Sequence, residues 1–231
     1  MWKVYSLYKE KTNAGGIMKI VVQVSGGIDS TVALAKAINE HGKENVYPIS
    51  FNDGSVEWTV KNSLAVMLTM IKFQLNERIF ICNIPQGDML EYPTDKDFPD
   101  EGFVPGLKLF MNAASMAYAQ KIGASQVWTG NMGDNVYPDE SNEFNLGLQD
   151  LYNHTYHSHI TIVHPFERMK RADVLTMGLD LGVNLAETVS CGNERVAGAY
   201  NCGVCDWCIK RKERFAEANI KDTTSYMYVK L

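Results

Sequence analysis

Nothing in these 231 residues runs apolar for longer than a strand, so no segment is expected to cross a bilayer as a helix. Basic charge is also scarce. Lys and Arg number 22 against 27 Asp and Glu, for a net charge of −5. The densest basic stretches, Arg168-Met169-Lys170-Arg171 and Lys210-Arg211-Lys212, are short. A protein that grips a nucleic-acid backbone usually carries a basic stripe, so chemistry on a small molecule is expected, with neither nucleic acid nor membrane as partner. The opening residues mix charge with aromatics and lack the continuous apolar centre of a signal peptide, which points to a cytoplasmic location. Met18, just before the first strand-like run, could be an alternative start. The five histidines (His41, His154, His157, His159 and His164) show no spacing that suggests a shared metal. Internal repeats and low-complexity tracts are absent.

What is present alternates strand with helix. Strand-like runs fall at Ile20–Val24, Val46–Phe51, Ile79–Ile84, Gln126–Thr129 and Ile160–His164. Helical periodicity falls at Thr31–Glu40, Val56–Phe73, Leu107–Ile122, Glu143–His154, Lys170–Leu181 and Asp206–Ala218. The alternation predicts an α/β fold, a parallel five-stranded sheet with helices on both faces, Rossmann-like in plan. Ligands of such sheets sit beyond the carboxyl ends of the strands. That rim collects Ser25–Ser30, Asn52–Ser55 and Gly130–Asp139. The stretch Glu91–Gly106, rich in Pro and Asp, reads as a long functional loop. Residues 1–18 read as an extension, 19–189 as the nucleotide domain, and 190–231 as a small C-terminal subregion where cysteine accumulates.

The first strand-to-helix turn is Ser25-Gly26-Gly27-Ile28-Asp29-Ser30, followed by Thr31. Glycines there let the backbone approach a ligand, and a helix start aims free N–H groups and a positive dipole end at an anion. No Gly-Lys-Ser/Thr follows, so this is not the loop that pulls on a γ-phosphate, and it is not a dinucleotide G-x-G-x-x-G. Asp29 would repel bare phosphate and makes better sense beside Mg²⁺. An ordinary capped helix start, with Ser25 and Asp29 as the capping groups, is the bland alternative.

Four of the five cysteines, Cys191, Cys202, Cys205 and Cys208, follow C-x₁₀-C-x₂-C-x₂-C. Four thiolates suit a closed, structural Zn²⁺ site. An iron–sulfur cluster and plain thiols or disulfides are the competing readings. Cys82 reads as a buried apolar residue.

Ser-Gly-Gly-x-Asp-Ser resembles the pyrophosphate loop of the N-type ATP pyrophosphatases. Glu187–Asp222, with Thr188-Val189-Ser190-Cys191 and Cys202-Gly203-Val204-Cys205-Asp206-Trp207-Cys208, is similar to the end of the 7-cyano-7-deazaguanine synthases. Phe103–Ala124 and Gly130–Asp139 are similar to that family's Val-Pro-Gly helix and Tyr-Pro-Asp loop, and the resemblance runs from about Lys19 to Asp222. It implies ATP-dependent conversion of 7-carboxy-7-deazaguanine and ammonia into the nitrile, with Mg²⁺ and Zn²⁺ as metals and a homodimer as the assembly. Ser25, Gly26, Gly27, Ile28, Asp29, Ser30 and Thr31 would hold the nucleotide. Asp134 is a further candidate carboxylate, and Arg171, which opens a helix, a candidate phosphate-neutralising cation. Tyr137, Asp139 and Lys108 are candidates for the deazaguanine.

The resemblance thins at residues 51–58, at Leu107-Lys108 where the family prefers Arg-Asn, and at Arg171 where it has Lys. A divergent paralogue that stops at the amide or activates another acid is therefore an alternative. Others are a tRNA-thiolating or lysidine-forming relative, and a nucleotide-binding sensor or scaffold without turnover.

Overall fold

The computed structural model describes residues 18–52, 62–84, 103–133, 137–193 and 201–227. Its centre is five strands: β1 (Ile20–Gln23), β2 (Val46–Asn52), β3 (Phe80–Asn83), β4 (Gln126–Trp128) and β5 (Thr161–Val163). They lie in the order β3-β2-β1-β4-β5, and every pairing is parallel. Runs such as Ile20-Val21-Val22 suit this because a sheet covered on both faces leaves no strand side for polar residues.

The pleat divides β1 between two cores. Ile20, Val22 and Val24 join one core, with Val32 and Leu34 of α1 (Ile28–His41), Val174 and Leu175 of α5 (Arg171–Asp180) and Phe215 of α6 (Asp206–Glu217). Val66 and Met70 of α2 (Ser63–Phe73) belong to the same cluster. Val21 faces the other way, with Ile49, Val127 and Ile162, toward Met116 and Ala119 of α3 (Leu107–Ile122), and Leu148 of α4 (Asn142–Tyr156) packs on the same side. The fold is thus the expected α/β sandwich with helices on both faces.

Each periodic run became its element to within a few residues. Of Val56–Phe73, the structure describes the helix from Ser63 on; residues 53–61, like 85–102, lie outside the described residues. Among the described residues no helix is long and apolar enough to cross a membrane. Cys82 is half-buried on the edge strand β3 rather than fully enclosed, and burial pushes its thiol pKa up.

One buried polar chain crosses the second core. Gln23, at the carboxyl end of β1, donates to Asn112 Oδ1 (2.9 Å) and Ser115 Oγ (3.0 Å) on α3. Asn112 donates onward to Asn145 Oδ1 at 2.8 Å, and Asn145 donates to the Ser141 carbonyl at 2.8 Å. Every link is satisfied, so the chain fixes α3 and α4 against β1 rather than weakening the core.

Candidate active site

The sheet order changes direction between β1 and β4, so the loops that follow these strands part at a crevice. The loop after β1 turns at Gly26, whose φ is +81°. A Cβ there would lie 2.8 Å from Ala65 Cβ and 3.1 Å from the Asn62 carbonyl, so the loop closes on α2 only because residue 26 has no side chain. Gly130, after β4, backs onto the same turn, where a Cβ would meet Ser30 N at 2.8 Å.

Helix α1 starts with Gly27 as its N-cap, and no side chain caps it. Ser25 and Asp29 therefore do not perform the capping of the bland reading. Ser30 instead braces the loop from within. Its Oγ accepts from Ser25 N–H at 3.2 Å and donates to the Gly27 carbonyl at 3.2 Å. Ser25 Oγ lies 3.1 Å from Ser30 Oγ and accepts weakly from Gly27 N–H at 3.4 Å. With the Ser30 proton committed to Gly27, Ser25 is the donor of the hydroxyl pair, and turning it to a ligand gives up that bond. Ile28 and Thr31 are buried and shape the turn through their backbone.

A cavity of about 180 Å³ opens against this loop, lined by Ser25, Gly27 and Asn62 on one side and by Val189 to Gly192 and Trp207 on the other. It is smaller than the several hundred Å³ of a typical drug-sized pocket and closer to the size of a diphosphate group. The far wall is tied to the loop by the main chain, because Val189 N–H donates to the Gly26 carbonyl at 2.9 Å.

That wall carries the cysteines. The sulfurs of Cys191, Cys202, Cys205 and Cys208 all lie within 4.8 Å of one another. Cys202 Sγ and Cys208 Sγ are 3.9 Å apart, close to the ~3.8 Å edge of a tetrahedron with Zn–S bonds of about 2.3 Å. None of the five cysteines is in a disulfide. Main-chain N–H groups of Asn193 and Cys202 donate to Cys191 Sγ, and those of Val204 and Cys205 to Cys202 Sγ. A hydrogen bond from Cys208, with those N–H groups, holds the Cys191 thiol down at about 4, while the same contact and burial push Cys208 up. The donor set fits zinc, and it is the only group of three or more metal-ligating side chains that comes together among the described residues.

The α1 start has a charged flank. Asp29 Oδ1 accepts from Arg214 Nη2, and Asp29 Oδ2 is 3.7 Å from Arg171 Nη1. Arg214 Nε donates to the Arg171 carbonyl at 2.8 Å. Arg171, the candidate phosphate-neutralising cation, thus stands beside Asp29 of the loop. Sequence reasoning missed Arg214, since Lys210-Arg211-Lys212 beside it drew notice only as a short basic stretch. The signal was there: Arg214 follows Cys208 by six residues and Arg211 by three, on the side of α6 that is buried. Arg211 is enclosed on that side, donating to Thr188 Oγ1, Ser190 Oγ, the Leu185 carbonyl and Thr224 Oγ1.

The candidate substrate residues gather on the β4 rim. Lys108 Nζ is 3.1 Å from Glu140 Oε1, and the Tyr137 ring stacks on Phe103 with centroids 5.3 Å apart. Asp139 is 8% exposed, and no side chain among the described residues donates to either carboxylate oxygen. Burial raises its pKa, Glu140 adds to the rise, and the Lys108 charge and the nearby main-chain N–H groups of Asp139 and Lys108 oppose it. His164 lies in the same electrostatic neighbourhood; its Nδ1 is 2.7 Å from Thr129 Oγ1, its Nε2 has no partner, and burial lowers its pKa. Asp134 lies outside the described residues.

A family model described as "Queuosine biosynthesis protein QueC" matches residues 19–219. A 7-cyano-7-deazaguanine synthase of Legionella pneumophila (strain Corby) is 30% identical over 223 residues, covering 90% of this chain and 96% of that protein. One from Caldicellulosiruptor bescii is 30% identical over 226 residues, with 90% and 97% covered. One from Porphyromonas gingivalis is 27% identical over 217 residues, with 89% and 96% covered.

Proposed function

This chain belongs to the QueC family of queuosine biosynthesis proteins, and on that premise we propose that it is an ATP-dependent ligase forming 7-cyano-7-deazaguanine from 7-carboxy-7-deazaguanine and ammonia, working as a homodimer. The observation that carries the reading is the uncapped start of α1, opening beside Ser25 onto a diphosphate-sized cavity.

The acid is a poor electrophile. Attack of its oxygen on the α-phosphorus of ATP releases diphosphate and leaves an acyl adenylate. Ammonia displaces AMP and gives the amide. A second adenylation, at the amide oxygen, and loss of AMP with two N–H protons give the nitrile. No protein nucleophile is needed; positioning and charge neutralisation lower the barriers.

In this scheme the Gly26-Gly27 turn, the Ser25 hydroxyl and the first turn of α1 receive the departing diphosphate, with Arg171 as counter-charge. The Asp139 carboxyl and the Tyr137 and Lys108 side chains bind the deazaguanine. Asp139 is suited to pair with ring N–H groups, because its carboxylate is buried and no side chain among the described residues donates to it within hydrogen-bond distance. Mg²⁺ would enter on the nucleotide's own phosphates. Asp29, the one carboxylate of the loop, faces two guanidinium groups and not an open coordination position, so no step is routed through a metal. Zinc in the cysteine cluster would be structural, since four thiolates leave no place for water.

The test is incubation with ATP, Mg²⁺, ammonium and 7-carboxy-7-deazaguanine, read by mass spectrometry. The nitrile with two AMP per product is expected. An amide end product would confine the protein to the first half of the chemistry, and absence of AMP would overturn the reading.

A further inference from the structure

A carboxylate at the second residue of α1 is favourable to the helix dipole but sits where it repels an incoming diphosphate. A metal ligand needs an oxygen lone pair turned toward the ion. Both oxygens of Asp29 face guanidinium groups instead: Oδ1 accepts a hydrogen bond from Arg214, and Oδ2 stands 3.7 Å from Arg171. Arg214 also holds the main chain from which Arg171 projects, through Nε and the Arg171 carbonyl at 2.8 Å. One anion thus lies between two cations, and the three come from α1, α5 and α6.

Their exposures differ. The Arg214 side chain is 9% exposed and that of Asp29 24%, whereas that of Arg171 is 42% exposed. Resting on the diphosphate reading above, we infer that Asp29 and Arg214 are positioning residues that hold the Arg171 guanidinium at the mouth of the loop as the diphosphate's counter-charge, and that Asp29 does not bind a metal ion. A guanidinium can keep one edge on a carboxylate while the other edge addresses phosphate oxygens, which an ammonium group cannot do. Fixing it beforehand removes the ordering cost at the moment of binding. Arg214 needs Asp29 in turn, because a buried cation without its partner is costly.

The arrangement makes a prediction of unusual sign. Removing a negative charge beside an anion site ordinarily tightens anion binding. Here Asp29→Asn should weaken it, because Arg171 loses the carboxylate that helps to orient it. The probe is inorganic diphosphate, titrated by calorimetry into the full chain, once with EDTA and once with Mg²⁺. Asp29→Asn is expected to lose about tenfold in affinity under both conditions. Arg171→Gln should lose a similar factor, and the double variant no more than Arg171→Gln alone, since coupled residues are not additive.

Tighter binding by Asp29→Asn in EDTA, or a loss confined to Mg²⁺, would overturn the inference and return Asp29 to the metal. Should Asp29→Asn fail to fold, Arg171→Gln decides alone: unchanged affinity in EDTA sinks the inference. A parent chain that binds no diphosphate under either condition removes the loop reading as well, whereas a parent that binds it but forms no AMP leaves this inference standing and the ligase reading fallen.

Discussion

Gly26 joins conformation to chemistry at one atom, because its φ of +81° and the 2.8 Å approach to Ala65 both exclude a side chain. Gly26→Ala is expected to cost about 2–4 kcal/mol, the sum of a left-handed backbone and an overpacked contact. Denaturant midpoints with an unchanged m-value would measure it. Asp139 supplies a pH test. Its pKa is raised by burial, so the folded state holds the proton more tightly than the unfolded chain. Stability contributed by that carboxyl is present at low pH and is lost as pH rises through the raised value. Asp139→Asn should therefore melt above the parent at neutral pH, with the gap closing near pH 4, where the unfolded carboxyl titrates. Calorimetric scans across pH check this, and the same variant should lose turnover if Asp139 binds substrate. At this scale the glycines and the four cysteines were legible, because their chemistry follows from type and spacing. Gln23, Asn112 and Arg214 were not. Their partners are 89 and 185 residues away in sequence for the Gln23–Asn112 and Arg214–Asp29 bonds, and no local pattern carries that distance.

Helix α6 is the element on which most of the site depends. Cys208 belongs to the cysteine cluster, Arg211 ties the 185–190 segment to Thr224, and Arg214 reaches Asp29, all from one face. Cys202→Ser is expected to drop bound zinc from about one equivalent toward none and to lower the melting temperature by roughly 10 °C. Elemental analysis and thermal scans would check both. Arg211→Lys keeps the charge but loses the fork that serves four oxygens, and should cost about 2–4 kcal/mol in denaturant unfolding. Elements were well legible because the apolar periods are long and end at glycines, as α3 does at Gly123 (φ +70°) and α1 at Gly42 (φ +78°). The three short 3-10 turns among the described residues, at Lys43–Asn45, Pro138–Glu140 and Leu185–Glu187, were not read, since three residues hold no period.

Across the whole molecule, alternation of strand and helix implied a parallel sheet, but the order β3-β2-β1-β4-β5 was not legible, because register is a long-range choice among similar apolar strands. The overall charge of −5 carries its own prediction. Filter binding to bulk tRNA should be weak at low salt and vanish at physiological salt, since few phosphates can be neutralised at once. A persistent complex would favour a tRNA-modifying activity instead. The single main-chain bond from Val189 to Gly26 stitches the cysteine-bearing wall to the turn that β1 feeds. Deuterium uptake at the Val189 amide is therefore a built-in gauge: chelating the metal should speed it, and saturating diphosphate should slow it, as the two halves of the crevice unlace or draw shut.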